Sequence, residues 1–149
     1  STSALAMHWS LMPKNWTYPS MLDFPIPRLR GYARETVIAE KFQAMVALGR
    51  ANTRMKDFYD IWILSRSFDF RNDRLARAIT ATFERRKTPI PTVLPDALTE
   101  GFAKDSQKQR QWSAFVESVA YDPGELMDVL TEIAAFLMPH AAVAASRGK

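Results

Sequence analysis

From Thr36 onward apolar side chains return at three- and four-residue steps. Val37, Ile38, Phe42, Met45 and Leu48 follow a 3.6-residue period that stops at Gly49. The spacing predicts an amphipathic helix. Asn52 and Thr53 then offer side-chain oxygens as N-caps for a second helix. It runs through Asp57 to about Ser65 with Phe58, Ile61, Trp62 and Leu64 as apolar positions. The short connection predicts a two-helix hairpin. Asn72 or Asp73 caps a third helix carrying Leu75, Ala78, Ile79 and Phe83. It must end before Thr88-Pro89-Ile90-Pro91, since proline removes an amide donor and drives the residue before it toward extended backbone. Short helices are expected from Pro95 and from Asp105, the latter with Trp112, Phe115 and Val116. Asp122-Pro123-Gly124-Glu125 reads as N-cap, first-turn proline and capping-box glutamate of a last helix. That helix carries Leu126, Val129, Leu130, Ile133, Phe136 and Leu137 as far as Pro139, and residues Ala141 to Lys149 read as a frayed tail.

The segment before these helices is of another kind. Pro13, Pro19, Pro25 and Pro27 forbid a long helix, and Trp9, Trp16 and Tyr18 alternate with small polar residues. The expectation is an all-α fold: a single bundle of about six helices over residues 31–149, preceded by an extended, proline-rich lead over residues 1–30. The 149 residues suit one hydrophobic core. A 47% apolar and 24% charged composition is that of an ordinary globular chain. Apolar runs are read as broken by charge or proline before the ~18 residues a membrane span needs, and Ser1 to Ser10 lack a signal-peptide pattern. With no cysteine, disulfides, thiolate metal sites and cysteine nucleophiles are excluded. The expected compartment is the cytoplasm, with no membrane partner.

Charge changes the picture. The net +4 is uneven: residues 28–87 hold 14 Lys/Arg against 7 Asp/Glu, and residues 88–149 hold 5 against 8. The basic stretch from Arg28 to Lys56 suits an anionic partner such as a nucleotide or RNA. Dispersed arginines that only solvate a helix face have the same composition. Within that stretch, steps of 100° from Asp57 place Asp60 beside Ile61 and Leu64 instead of opposite them. Carboxylates on a core-facing stripe must be paired, because a buried unpaired charge costs several kcal/mol. Lys56 lies four residues before Asp60, Arg54 starts the same helix, and Lys41 comes from the helix before. Such a network either locks two helices together or fixes cations that meet phosphate oxygens.

The run Glu-Thr-Val-Ile-Ala-Glu-Lys at 35–41, followed by Asn-Thr-Arg-Met-Lys-Asp-Phe-Tyr-Asp at 52–60, resembles the C-terminal motifs of the AbiEii/AbiGii nucleotidyltransferase-like toxins of abortive-infection toxin–antitoxin systems. The likeness continues through Phe83-Glu84-Arg85-Arg86-Lys87-Thr88-Pro89 and through Phe102, Asp105, Lys108, Trp112 and Phe115, over roughly residues 30–118. The resemblance implies a polymerase-β-like N-terminal domain in which a Gly-Ser turn and an Asp-x-Asp pair bind metal and nucleotide. It implies a helical half that supplies the residues matched by Lys41, Arg54, Lys56, Asp57 and Asp60. Lys41, Asp57 and Asp60 are then the catalytic candidates, and Arg54 and Lys56 the substrate-binding ones. The Gly-Ser and Asp-x-Asp elements do not occur in these 149 residues. The chain therefore reads as the C-terminal half, inactive alone and without a cofactor of its own, although a nucleoside triphosphate and Mg are implied for the full-length family. A nucleotide, tRNA and a cognate antitoxin are the implied partners.

Other chemistry finds little footing. His8 and His140 are too isolated for a metal site and are expected in flexible terminal regions. No Gly-x-Ser-x-Gly turn, Walker loop or dinucleotide fingerprint occurs. Two readings remain. A nucleotidyltransferase half predicts an electropositive concavity. A non-catalytic helical interaction module, which binds another protein through the aromatics of the lead, predicts a closed salt-bridge network.

Overall fold

A computed structural model describes residues 32–147. The lead at residues 1–30, with its prolines, aromatics and His8, lies outside the described residues. Among them the fold is all-α, with six α-helices, two 310 turns and no strand. Helix α1 spans Tyr32–Leu48, α2 Met55–Ser67, α3 Arg74–Arg85, α4 Glu100–Lys104, α5 Ser106–Val116 and α6 Leu126–Arg147. The 310 turns are Gly49–Ala51 and Asp96–Leu98.

The helices bury most of the stripes their sequence lays out, although Leu48 at the end of α1 is 40% exposed and Val37, Ala78, Phe115, Val116 and Phe136 are partly buried. Ile38, Ala39, Phe42 and Met45 of α1 have no exposed surface. They pack chiefly on α3, where Phe42 meets Phe83 with ring centroids 5.3 Å apart, and less extensively on α2. Full burial of one such phenylalanine contributes roughly 2–3 kcal/mol. Gly49, at φ +56°, ends α1 in the left-handed region where a side chain would be strained. Helix α2 buries its whole stretch from Asp57 to Leu64. It is walled by α6, by α5 through the edge-on Tyr59–Phe115 pair at 5.4 Å, and by α4 through Phe58–Phe102 at 5.7 Å.

Several expectations need correction. The caps expected at Asn52 and Asn72 act outside their helices, two residues and one residue before the N-cap positions: Asn52 Oδ1 accepts from the Arg54 amide at 2.7 Å and Asn72 Oδ1 from the Arg74 amide at 2.9 Å. The helix expected from Pro95 is instead the 310 turn followed by α4, which Thr99 caps. Asp105 caps α5 as expected, accepting from the Lys108 amide at 3.0 Å. Asp122 does not cap α6. It accepts from the Gly124 amide at 2.8 Å, closing a turn that Gly124 completes at φ +95°, and the helix starts at Leu126.

The largest correction concerns the C-terminal end. Helix α6 runs through Pro139 to Arg147, so the expected frayed tail is helical as far as the described residues reach. Pro139 and Ala135, whose carbonyl loses its helical donor, both lie on the exposed side, where water can serve that oxygen. Ala141 and Ala144 are fully buried, and Arg147 pairs with Asp73 at 2.5 Å. His140 is therefore ordered, its ring edge-on to Phe136 at 5.4 Å. By length and composition α6 could also cross a membrane, at a mean hydropathy of 1.5, contrary to the reading of broken apolar runs. Here Leu126, Val129, Leu130, Ile133 and Leu137 are buried against the other helices.

Candidate functional site

The five residues singled out from the sequence come together. Lys41, one turn beyond Ile38 on α1, reaches between two carboxylates of α2. Its Nζ lies 3.0 Å from Asp57 Oδ1 and 2.9 Å from Asp60 Oδ2. Asp57 is in the first turn of α2 and Asp60 one turn later, so the helical repeat presents both to the same ammonium. The burial read from 100° steps holds: Asp57 is 5% exposed and Asp60 1%. Two outer cations complete the cluster. Arg54 Nε stands 2.9 Å from Asp57 Oδ2, and Lys56 Nζ 3.4 Å from Asp60 Oδ2. Their side chains are 54% and 41% exposed, so the cluster has a buried centre and a cationic rim. Asp60 Oδ1 is buried with no hydrogen-bond partner.

The loop that aims Arg54 is fixed from behind. Lys108 of α5 is buried and donates from Nζ to the Asn52 carbonyl at 2.8 Å, its ammonium 5.2 Å from the Phe102 ring centre. The Asn52 side chain in turn holds the Arg54 amide. Next to the cluster, Tyr59 has its hydroxyl pushed up to about 12, mainly by burial and also by the nearby Asp60 and Tyr121. It stays protonated and donates to the Tyr121 carbonyl at 3.4 Å.

Two clefts meet at this cluster and share Lys41 and Arg54. One, of about 370 Å³, is lined by Thr36, Glu40, Gln43 and Arg86 besides those two. Glu40 there holds both Arg85 and Arg86, the latter at 2.9 Å. The other, of about 800 Å³, runs from Lys41, Arg54 and Lys56 across Asp57 to Gln111 and Phe115 of α5. In each cleft the cations outnumber the carboxylates, which suits an anionic ligand. The sequence reasoning missed Gln111 and gave Arg86 and Lys108 no separate role. The polar position four residues before Phe115, beside the apolar stripe of α5, is the signal that could have exposed Gln111.

A family model described as the nucleotidyl transferase AbiEii toxin of type IV toxin–antitoxin systems matches residues 9–137. The chain belongs to this AbiEii family. The match takes in all six helices up to the Leu137 turn of α6, and with them the whole Lys41–Asp57–Asp60 cluster. Neither the curated proteins nor the solved structures yield a match.

The Mg that AbiEii-type chemistry implies does not fit the cluster. The inner oxygens of Asp57 and Asp60 face an ammonium, and among the described residues no three Asp, Glu or His side chains converge. The arrangement suits electrostatic positioning of a cation and, through the rim, of phosphate oxygens.

Proposed function

We propose that this chain is the helical portion of an AbiEii-type nucleotidyltransferase toxin and supplies the phosphate-facing side of a nucleotide or tRNA site. One observation carries the reading: a lysine held by two buried carboxylates at the meeting point of two cation-lined clefts. Asp57 and Asp60 hold the Lys41 ammonium in place, and an arriving phosphate replaces one carboxylate as its partner. Arg54 and Lys56, half exposed on the rim, meet further phosphate oxygens. The carboxylate that keeps its contact with Lys41 positions the ammonium from behind, and the released one takes the proton of an acceptor hydroxyl. The family's Gly-Ser and Asp-x-Asp elements do not occur among these 149 residues, which supports a site completed by another domain and no nucleotidyl transfer by this chain alone. A cognate antitoxin is the partner expected of a type IV system, and the cytoplasm is the compartment this reading requires.

A second reading has its own support. Lys41 Nζ already contacts both carboxylates, as a purely structural lock in a non-catalytic interaction module would have it. Binding separates the two. Nucleotide and tRNA affinity is measured for the chain, for Lys41→Ala and for Lys56→Ala, each across a salt titration. The nucleotide reading expects binding that either substitution weakens while the helical fold survives. No binding at low salt, with Lys41→Ala markedly less stable than the parent chain, would establish the structural lock. Transfer of label from GTP or CTP to RNA by the chain alone would refute its predicted inactivity.

A further inference from the structure

The larger cleft has an end that phosphate binding does not use. At one end stand Lys41, Arg54 and Lys56; at the other, Gln111 and Phe115 lie one helical turn apart on α5. Phe115 is partly exposed, and its ring is braced by Tyr59, edge-on at 5.4 Å, and by Trp112, tilted by 36° at 5.7 Å. A partly exposed ring fixed by two others loses little freedom when a planar ligand stacks on it. Gln111 Oε1 is buried with no hydrogen-bond partner. Leaving an amide oxygen in that state is costly, and the cost is relieved if the end of the side chain turns into the cleft it lines and meets a complementary edge. An amide offers one acceptor beside two donors, the pattern that pairs bidentately with the edge of a nucleobase. The cleft volume of about 800 Å³ accommodates a whole nucleotide.

We propose that Gln111 and Phe115 form a nucleobase subsite, Phe115 as the stacking surface and Gln111 as the residue that selects the base, with the ligand's phosphates on the Lys41–Arg54–Lys56 rim. The inference rests on the nucleotide reading and adds base selectivity to it.

The test is calorimetric binding of ATP, GTP, CTP, UTP and inorganic tripolyphosphate to the chain and to three variants, Gln111→Ala, Gln111→Glu and Phe115→Leu, with circular dichroism to confirm folding. One nucleotide is expected to bind more tightly than the other three and than tripolyphosphate. Gln111→Ala should shrink that preference by roughly 5- to 150-fold, the range of one good bidentate contact. Gln111→Glu, which removes the two amide donors at constant size, should shrink it as well. Phe115→Leu should weaken all four nucleotides about 5-fold or more, since stacking is tolerant of base identity, with tripolyphosphate unaffected. Equal binding of all five ligands would overturn the base subsite and leave the phosphate site standing. A base preference that persists in folded Gln111→Ala or Gln111→Glu would also overturn it. Binding of none of the five would remove both the subsite and the nucleotide reading.

Discussion

Replacing Lys41 by methionine removes the central charge and keeps most of the side-chain volume. Asp57 and Asp60, 5% and 1% exposed, then face each other without the ammonium that stands 3.0 and 2.9 Å from them. At an effective dielectric near 20, each contact at that distance is worth about 5 kcal/mol of Coulomb attraction. Desolvation of the three ions offsets most of the gross sum, and the two carboxylates' share of that cost remains when only the lysine is removed. Breaking a buried pair on one side therefore costs about 3–5 kcal/mol. Arg54 and Lys56 still touch the carboxylates from outside, although their half-exposed side chains are screened by water. That places the loss near the lower bound, about 3 kcal/mol. A domain of this size starts from about 5–15 kcal/mol, so the variant folds with a reduced margin. With a urea slope of about 1.5 kcal/mol/M, the midpoint falls by about 2 M. Lys41→Met combined with Asp57→Asn and Asp60→Asn removes the stranded charges and should recover at least half of the loss. A midpoint shift below about 0.5 M for the single variant, or a triple variant no more stable than the single, would refute the argument.

Three further outcomes follow from features of the fold. Lys87 sits at φ 53° where the chain leaves α3, with the Thr88 amide bonded back to the Phe83 carbonyl at 2.9 Å. Lys87→Gly should raise stability by about 1 kcal/mol, seen as a melting temperature higher by a few degrees; a decrease would mean that the lysine side chain makes a needed contact. Pro139→Ala restores the missing donor within α6 and should stabilise by about 1–3 kcal/mol in urea denaturation, and a neutral result would show a helix already relaxed around the ring. Burial holds His140 below its ordinary 6.5. The unfolded chain therefore binds this proton more readily than the folded one, and the stability the neutral ring contributes is lost as pH falls through 6.5 toward the lower folded value. His140→Gln should flatten that part of the pH–stability curve, and an unchanged slope would assign it to other groups.

The helical fold was legible because α1, α2, α3 and α5 carry their burial in local periodicity. Asp57 and Asp60 were legible for the same reason, as acids out of place on an apolar stripe. What escaped depends on distant partners. Pro139 ends a helix by local rules, and only the burial of Ala141 and Ala144 against the bundle carries α6 past it. Asp122 offers a capping oxygen, but Gly124 takes the chain through a left-handed turn that uses that oxygen first. Lys108 looks like a surface lysine until the Asn52 carbonyl, from another part of the chain, is brought to it. Gln111 stands out only once its amide oxygen is known to lack a partner and α5 is known to border the Lys41 cleft.

That buried lysine changes what kind of loop residues 52–54 form. A connection between two helices normally exchanges its amide hydrogens by local fraying. Here the Arg54 amide is donated to the side chain of an asparagine whose own carbonyl is gripped by an ammonium from α5. Releasing that hydrogen means turning away the side chain of Asn52, a residue only 1% exposed and held at its carbonyl by the buried Lys108 of α5. In hydrogen–deuterium exchange the Arg54 amide should therefore track the slow amides of α5 and not those of the surface turns. The arginine at the mouth of the site would then be only as mobile as the core behind it.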